Sequence, residues 1–324
     1  MRGVGLIGIG VHGARYARHL LAGDVAGARL VAVSRRDEAA GRRAAAGWGV
    51  PWLPVADLMA DPAVDVVVLA VEPGHHRALV TAALRAGKPV LVEKPLAPSG
   101  ADARALLAEA RSTGVPLGVA HTLRYSQVAR ALHDRARAGA IGALHSLSLA
   151  QHFEPSSHAW LDDPAGGGSA LNTGVHLIDL VRWLSGAEVL RVSAESARRV
   201  TRRTEDVFAA VLRLEGDRLA TLNTSRGSTG RSGRIELTGE TGQLCGDHVS
   251  GTLAEVRGRT TSALDPGPPV ATVAAALADF VRALDAGAPP PIDALEGARN
   301  VLVVEACLRS AAQGGQSTAV EAVA

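Results

Sequence analysis

The apolar run Val4 to Ile9 leads into Gly8-Ile9-Gly10-Val11-His12-Gly13, and Ala14 to Leu21 follows with apolar residues at helical spacing. In this strand-to-helix setting the first glycine permits a tight turn. The second lets backbone approach a pyrophosphate, and the third lets helix and strand pack closely. The helix N-terminus adds N–H groups with no intrahelical partner and the positive end of its dipole. Gly8, Gly10, Val11, His12 and Gly13 are therefore expected to hold a dinucleotide. The pattern around them agrees. Leu30 to Val33, Val66 to Val71, Val90 to Val92 and Leu117 to Val119 read as strands buried on both faces. Glu38 to Ala46, His76 to Ala86 and Ala101 to Thr113 read as helices, with Gly87 and Gly114 suited to left-handed helix ends. Alternating strands and helices imply right-handed crossovers and a doubly wound parallel sheet, a Rossmann domain over residues 1–120.

The second strand closes in Val33-Ser34-Arg35-Arg36, about twenty residues past the glycines, where an NAD enzyme usually carries an acid for the ribose 2′-hydroxyl. A carboxylate there would repel a 2′-phosphate, whereas serine can hydrogen-bond to it and a guanidinium can grip it in two places. Ser34, Arg35 and Arg36 thus favour NADP. NAD stays open as the alternative if Asp37 or Glu38 serves instead. Val71, Glu72, His75 and His76 sit at the carboxyl edge after the strand 66–71, where cofactors bind, although the two histidines fit helix capping or plain exposure equally well.

Lysine is scarce: Lys88 and Lys94 stand against thirty-two arginines. Lys94, in Val90-Leu91-Val92-Glu93-Lys94-Pro95, ends a strand. Arginine stays charged at every accessible pH, but a lysine ammonium can lose its proton when desolvated or set near another cation. Lys94 is accordingly a candidate for proton transfer, with a surviving salt-bridging lysine as the plain alternative.

A chain of 324 residues is too long for one typical core and suggests two domains. No apolar run approaches the roughly 20 residues that span a bilayer. The first strand begins within a few residues of Met1, leaving no room for a signal peptide, so a cytoplasmic protein is expected. Cys245 and Cys307 form no zinc or disulfide pattern. The net charge of +2, with both signs interspersed, shows neither a nucleic-acid stripe nor a membrane face. A small-molecule partner is expected, and no histidine has an HExxH or paired-carboxylate setting for a metal.

Beyond residue 120 the pattern changes to an α+β domain with a large, mostly antiparallel open sheet, expected over residues 121–324 with C-terminal helices over 272–312. Leu144 to Phe153 leads into a loop holding His152, His158, Trp160 and Gly166-Gly167-Gly168, and a helix follows from about Thr173 to Leu184. Val189 to Ala197, Asp206 to Leu214, Arg218 to Ser225, Ile235 to Thr238 and Gln243 to Gly246 read as strands. The segment containing His121, Arg124 and Tyr125 follows the last Rossmann strand.

The glycine fingerprint, Pro73 with His76, Glu93-Lys94-Pro95 and Gly174-Val175-His176-Leu177-Ile178-Asp179 together resemble the Gfo/Idh/MocA oxidoreductases over nearly the whole chain. That resemblance implies a sugar or polyol bound between the two domains, and a homodimer or homotetramer formed through the open sheet. It places Glu93 and Lys94 beside the nicotinamide and makes His176 the general base in oxidation or acid in reduction. Arg124, Tyr125 and Trp160 would contact substrate, with Trp160 equally suited to anchor packing. One position departs from the pattern: Asn172 stands four residues before His176, where many relatives have aspartate. An amide cannot exchange a proton at neutral pH, so Asn172 can only orient or bind. Asp179 either supports the His176 ring or, as such acids more often do, pairs with an arginine or caps backbone groups. The resulting expectation is an NAD(P)-dependent dehydrogenase or reductase acting on CH–OH groups. The alternatives are a catalytically silent cofactor-binding regulator and a redox-neutral NAD-dependent glycosidase.

Overall fold

The computed structural model describes residues 1–155 and 159–323. They form two compact units, Met1–Thr122 with Ala271–Ala298, and Leu123–Val270 with Arg299–Ala322. The first unit opens with β1 (Arg2–Ile7), α1 (Val11–Ala22), β2 (Ala28–Ser34), α2 (Glu38–Trp48), α3 (Val55–Ala60), β3 (Val66–Leu69), α4 (His76–Arg85), β4 (Val90–Glu93), α5 (Gly100–Thr113) and β5 (Leu117–Ala120). The strands pair in parallel in the order β2-β1-β3-β4-β5. All four residues of β3, Val66 to Leu69, are buried, as a strand covered on both faces requires. The chain leaves β1 for β2 on one side and returns to β3 on the other. This reversal opens a crevice at the carboxyl ends of β1 and β3, where the glycine segment lies.

The second unit holds α6 (Gln127–Arg137), β6 (Leu144–His152), α7 (Val175–Ser185), β7 (Val189–Ala197), β8 (Val207–Leu214), β9 (Leu219–Ser225), β10 (Ser232–Gly239), β11 (Gly242–Asp247), β12 (Thr252–Arg257), β13 (Thr260–Ala263) and β14 (Thr318–Ala319). They make one sheet in the order β13-β12-β11-β10-β6-β9-β8-β7-β14. Only β6 and β9 run parallel; the other pairs are antiparallel. Alternate residues Leu147 and Leu149, with Phe208, Leu222 and Ile235, join Ile178 and Val181 of α7 in one apolar core. The strands expected between residues 189 and 246 are present. β12 and β13 were not expected, because β13 is exposed along its whole length and Thr-Thr-Ser-Ala carries no apolar alternation.

Two features differ from the expected layout. The helix expected from Thr173 is preceded by a π-turn, Ala170–Gly174, that runs directly into α7. Helix α8 (Thr272–Asp285) falls in the first unit, not with the second as a single cut near residue 120 would have it. The reason is its apolar face. Leu277, Phe280 and Val281 are buried in the cluster that holds Val4, Leu6 and Val68, and burying each such side chain contributes about 1.5–3 kcal/mol. Helix α9 (Ala294–Ala312) follows. Among the described residues no helix is long and apolar enough to cross a membrane.

Candidate active site

The three glycines of the first turn play different parts. Gly8 has φ of +89°, and a Cβ on it would meet the Ala70 carbonyl oxygen at 2.4 Å. A Cβ on Gly13 would lie 1.8 Å from the Gly8 carbonyl oxygen, so α1 can pack this closely only without a side chain there. At Gly10 a Cβ would meet nothing within 4 Å, leaving open space before the helix N-terminus. No side chain caps α1, and the exposed Val11 begins it. This cradle fits a pyrophosphate. At the end of β2 the buried Ser34 accepts the Gly8 N–H through its carbonyl at 2.9 Å. Asp37 caps α2 by accepting the Ala40 N–H at 3.0 Å, and Glu38 binds Arg42 at 2.7 Å. Both acids are thus engaged in α2, while Arg35 and Arg36 form no ion pair among the described residues.

The carboxyl end of β4 is held from both sides. Glu93 is buried and accepts the Tyr16 hydroxyl at 2.9 Å; burial, then the Glu93 charge, pushes the Tyr16 phenol well up. His76 is wholly buried, its Nδ1 3.0 Å from the Pro95 carbonyl oxygen and its Nε2 3.1 Å from that of Val71. Burial lowers its pKa, and the contacts with backbone carbonyls oppose the shift. The ring therefore ties the chain after β3 to the chain after β4 and fixes the segment carrying Lys94. Lys94 itself is partly exposed, as is Val71, and Glu72 and His75 are exposed at the same sheet edge. Lys88 instead braces the backbone, its Nζ donating to the carbonyl oxygens of Asp61 at 3.0 Å and Val64 at 2.7 Å.

In the second unit every residue from Leu171 to Leu180 is buried except His176. One imidazole thus reaches accessible space from an otherwise enclosed helix start. Beside it the Asn172 Oδ1 accepts Arg226 Nη2 at 2.6 Å, and Thr173 Oγ1 accepts Arg226 Nε at 3.2 Å. A guanidinium only donates, so this contact turns the amide oxygen toward Arg226 and its NH2 the other way. Asp179 pairs with an arginine, as expected. Arg124 donates to it through Nε at 2.8 Å and Nη2 at 2.6 Å, and Asn300 Nδ2 adds a third bond at 2.8 Å. The network continues from Asn300 to Arg182 and on to Glu188. It commits the two-pronged edge of Arg124 to α7 rather than to a substrate. Tyr125 is buried beneath the Arg130 guanidinium. His121 is wholly buried, His152 and Trp160 are partly exposed, and His158 lies outside the described residues.

Residues 2–121 match the model of an oxidoreductase family with an NAD-binding Rossmann fold, and residues 129–245 match the GFO/IDH/MocA C-terminal domain. The chain belongs to the Gfo/Idh/MocA oxidoreductases. It is 36% identical over 266 residues to inositol 2-dehydrogenase 1 of Saccharopolyspora erythraea, covering 74% of this chain and 72% of that one. It is 32% identical over 278 residues to 1,5-anhydro-D-fructose reductase of Ensifer adhaerens, covering 80% and 81%. A probable dehydrogenase from Thermotoga maritima superposes with a TM-score of 0.86 at 25% identity, covering 99% of this chain and 100% of that one.

Against this Gfo/Idh/MocA frame, sequence reasoning passed over Arg226. It had no signal to find it by, since one arginine after a strand does not stand out among thirty-two. Asp162 was also missed. Its carboxylate accepts the N–H groups of Arg202, Arg203 and Thr204 at 3.0, 2.7 and 2.9 Å, and these bonds, that from Thr204 first, hold its pKa at about 2 against burial. The depressed value means this anchoring is complete above the usual value of 3.8 and is lost as pH falls toward about 2. We expect amide-exchange protection at Arg203 and Thr204 to fall across that interval. In Asp162→Ala it should be low at every pH, and a pH-independent, wild-type-like protection in the variant would refute the assignment.

Proposed function

We propose that this oxidoreductase uses NADP(H) to interconvert a secondary alcohol and a ketone, or an aldose and its lactone, on a sugar, polyol or related small molecule. One observation carries the reading. Lys94 stands at the carboxyl end of β4, the same edge of the parallel sheet that bears the Gly8–Gly13 turn, which is where such sheets bind cofactor and substrate. The names of the two relatives, an inositol dehydrogenase and an anhydrofructose reductase, support the substrate class.

When bound, the nicotinamide supplies hydride chemistry. The chain supplies the rest. The turn at Gly8, Gly10, Val11, His12 and Gly13 grips the pyrophosphate. Lys94 polarises the substrate oxygen and holds a proton there. His176 takes the hydroxyl proton in oxidation and returns it in reduction. Asn172, unable to exchange a proton, orients the substrate.

Preference for NADP is supported by the two guanidinium groups of Arg35 and Arg36, which have no acid partner among the described residues. It is also supported by the commitment of Asp37 and Glu38 to α2. We expect calorimetric titration to give about tenfold or tighter binding of NADP than of NAD, the scale of one charge-assisted hydrogen bond. Arg35→Ala should narrow that gap. Tighter binding of NAD would refute the preference. Turnover is tested by following nicotinamide absorbance over a panel of sugars and inositols. A steady change supports net redox, sugar release without it indicates a redox-neutral glycosidase, and neither indicates a cofactor-binding regulator.

A further inference from the structure

Arg226 directly follows β9 and is partly buried. Together with Leu161, Val200, Thr201, Arg202 and Glu205 it lines a cavity of about 220 Å³ inside the second unit. Its Nε serves Thr173 and one Nη2 hydrogen serves Asn172. The Nη1 hydrogens meet no acceptor, and no carboxylate lies within ion-pair distance, among the described residues. Burial lowers its pKa, yet a guanidinium stays charged at any working pH. Glu205, on the same wall, does not neutralise it. That carboxylate instead accepts the Ala170 N–H at 2.8 Å, and burial raises its pKa. Arg202 is exposed, so water screens its charge.

A half-desolvated cation with no counter-charge costs free energy that an incoming anion can offset. Asn172 points the same way. An aspartate at residue 172 would set a counter-charge against Arg226, and the neutral Asn172 amide does not. A guanidinium, which only donates, is complementary to a group that only accepts. A planar carboxylate matches the guanidinium fork in two places.

We infer that the substrate carries a carboxylate read by Arg226 beside Asn172, so that the enzyme acts on sugar acids in preference to neutral sugars and polyols. This rests on the function proposed above and narrows its substrate class. A phosphate is the poorer match, because its second negative charge would stand unbalanced on a wall that already holds Glu205.

The test is calorimetric titration of the cofactor-loaded protein with D-gluconate and D-galacturonate against D-glucose and D-galactose. The acids are expected to bind roughly 10–150-fold more tightly, the range of one charge-assisted hydrogen bond. Arg226→Gln should abolish the difference and Arg226→Lys should retain part of it, with thermal unfolding confirming that both variants are folded. Asn172→Asp, nearly isosteric, gives Arg226 an internal counter-charge and should remove or reverse the preference. Equal or tighter binding of the neutral sugars overturns the inference. So does unchanged acid binding in Arg226→Gln, an acid preference that survives Asn172→Asp, or tighter binding of D-glucose 6-phosphate than of D-gluconate. Binding is read without turnover, so an absence of nicotinamide absorbance change with both classes would sink the proposed activity alone, and the carboxylate preference would still be decided by the titration.

Discussion

Replacing Lys94 with methionine will lower turnover by roughly 10²–10⁴-fold, the loss that follows removal of an acid/base group, while cofactor titration stays close to wild type. Methionine keeps the length and apolar stem of the side chain and deletes the ammonium. Other groups hold the surrounding loop. Glu93 is held by Tyr16, and the backbone of Pro95 and Leu96 is held by His76, so the loop should keep its shape. Steady-state kinetics over the sugar panel, read beside a calorimetric titration with NADP, separate the two effects. Unchanged turnover would remove Lys94 from the chemistry, and a parallel loss of cofactor affinity would make it a binding residue instead.

Asp179→Ala will destabilise the protein by about 3–5 kcal/mol, the cost of leaving one member of a buried ion pair without its partner. Asp179 is 1% exposed and Arg124 10%, and the same carboxylate also accepts from Asn300, so its loss strands two donors. Urea unfolding monitored by circular dichroism measures the change. The double replacement Arg124→Met with Asp179→Leu should recover much of the loss, because an apolar pair of similar volume avoids the desolvation penalty. A single variant within about 0.5 kcal/mol of wild type, the range of an unremarkable surface change, would show that the pair contributes nothing to the fold.

The Rossmann unit was legible because its signals are local. Continuous Val and Leu runs, a glycine turn in its proper frame, and glycines at helix ends act within a few residues of one another, and Gly87 and Gly114 do have φ of +71° and +66°. Asp179 was legible in type but not in partner: its arginine lies 55 residues earlier, beyond any helical spacing. His76 illustrates the opposite error. A histidine at the carboxyl edge of a sheet reads as a ligand to cofactor, yet its ring is enclosed by three backbone carbonyls, and nothing in a sequence records where carbonyl groups point. The short exposed strand β13 escaped notice because pairing at a sheet edge needs no apolar pattern. The place of α8 in the first unit could not be read either. Its apolar stripe declares a buried face without naming the surface that covers it.

That last placement bears on how the chain is made. Phe280 fills the space beside Gly118, where even a Cβ would come within 2.8 Å of its ring. The N-terminal sheet therefore leaves the ribosome with one side of its interior still open, and must wait until most of the remaining polypeptide has been synthesised before that side can close. During this interval the face of β5 at Gly118 is a surface a chaperone would have to shield.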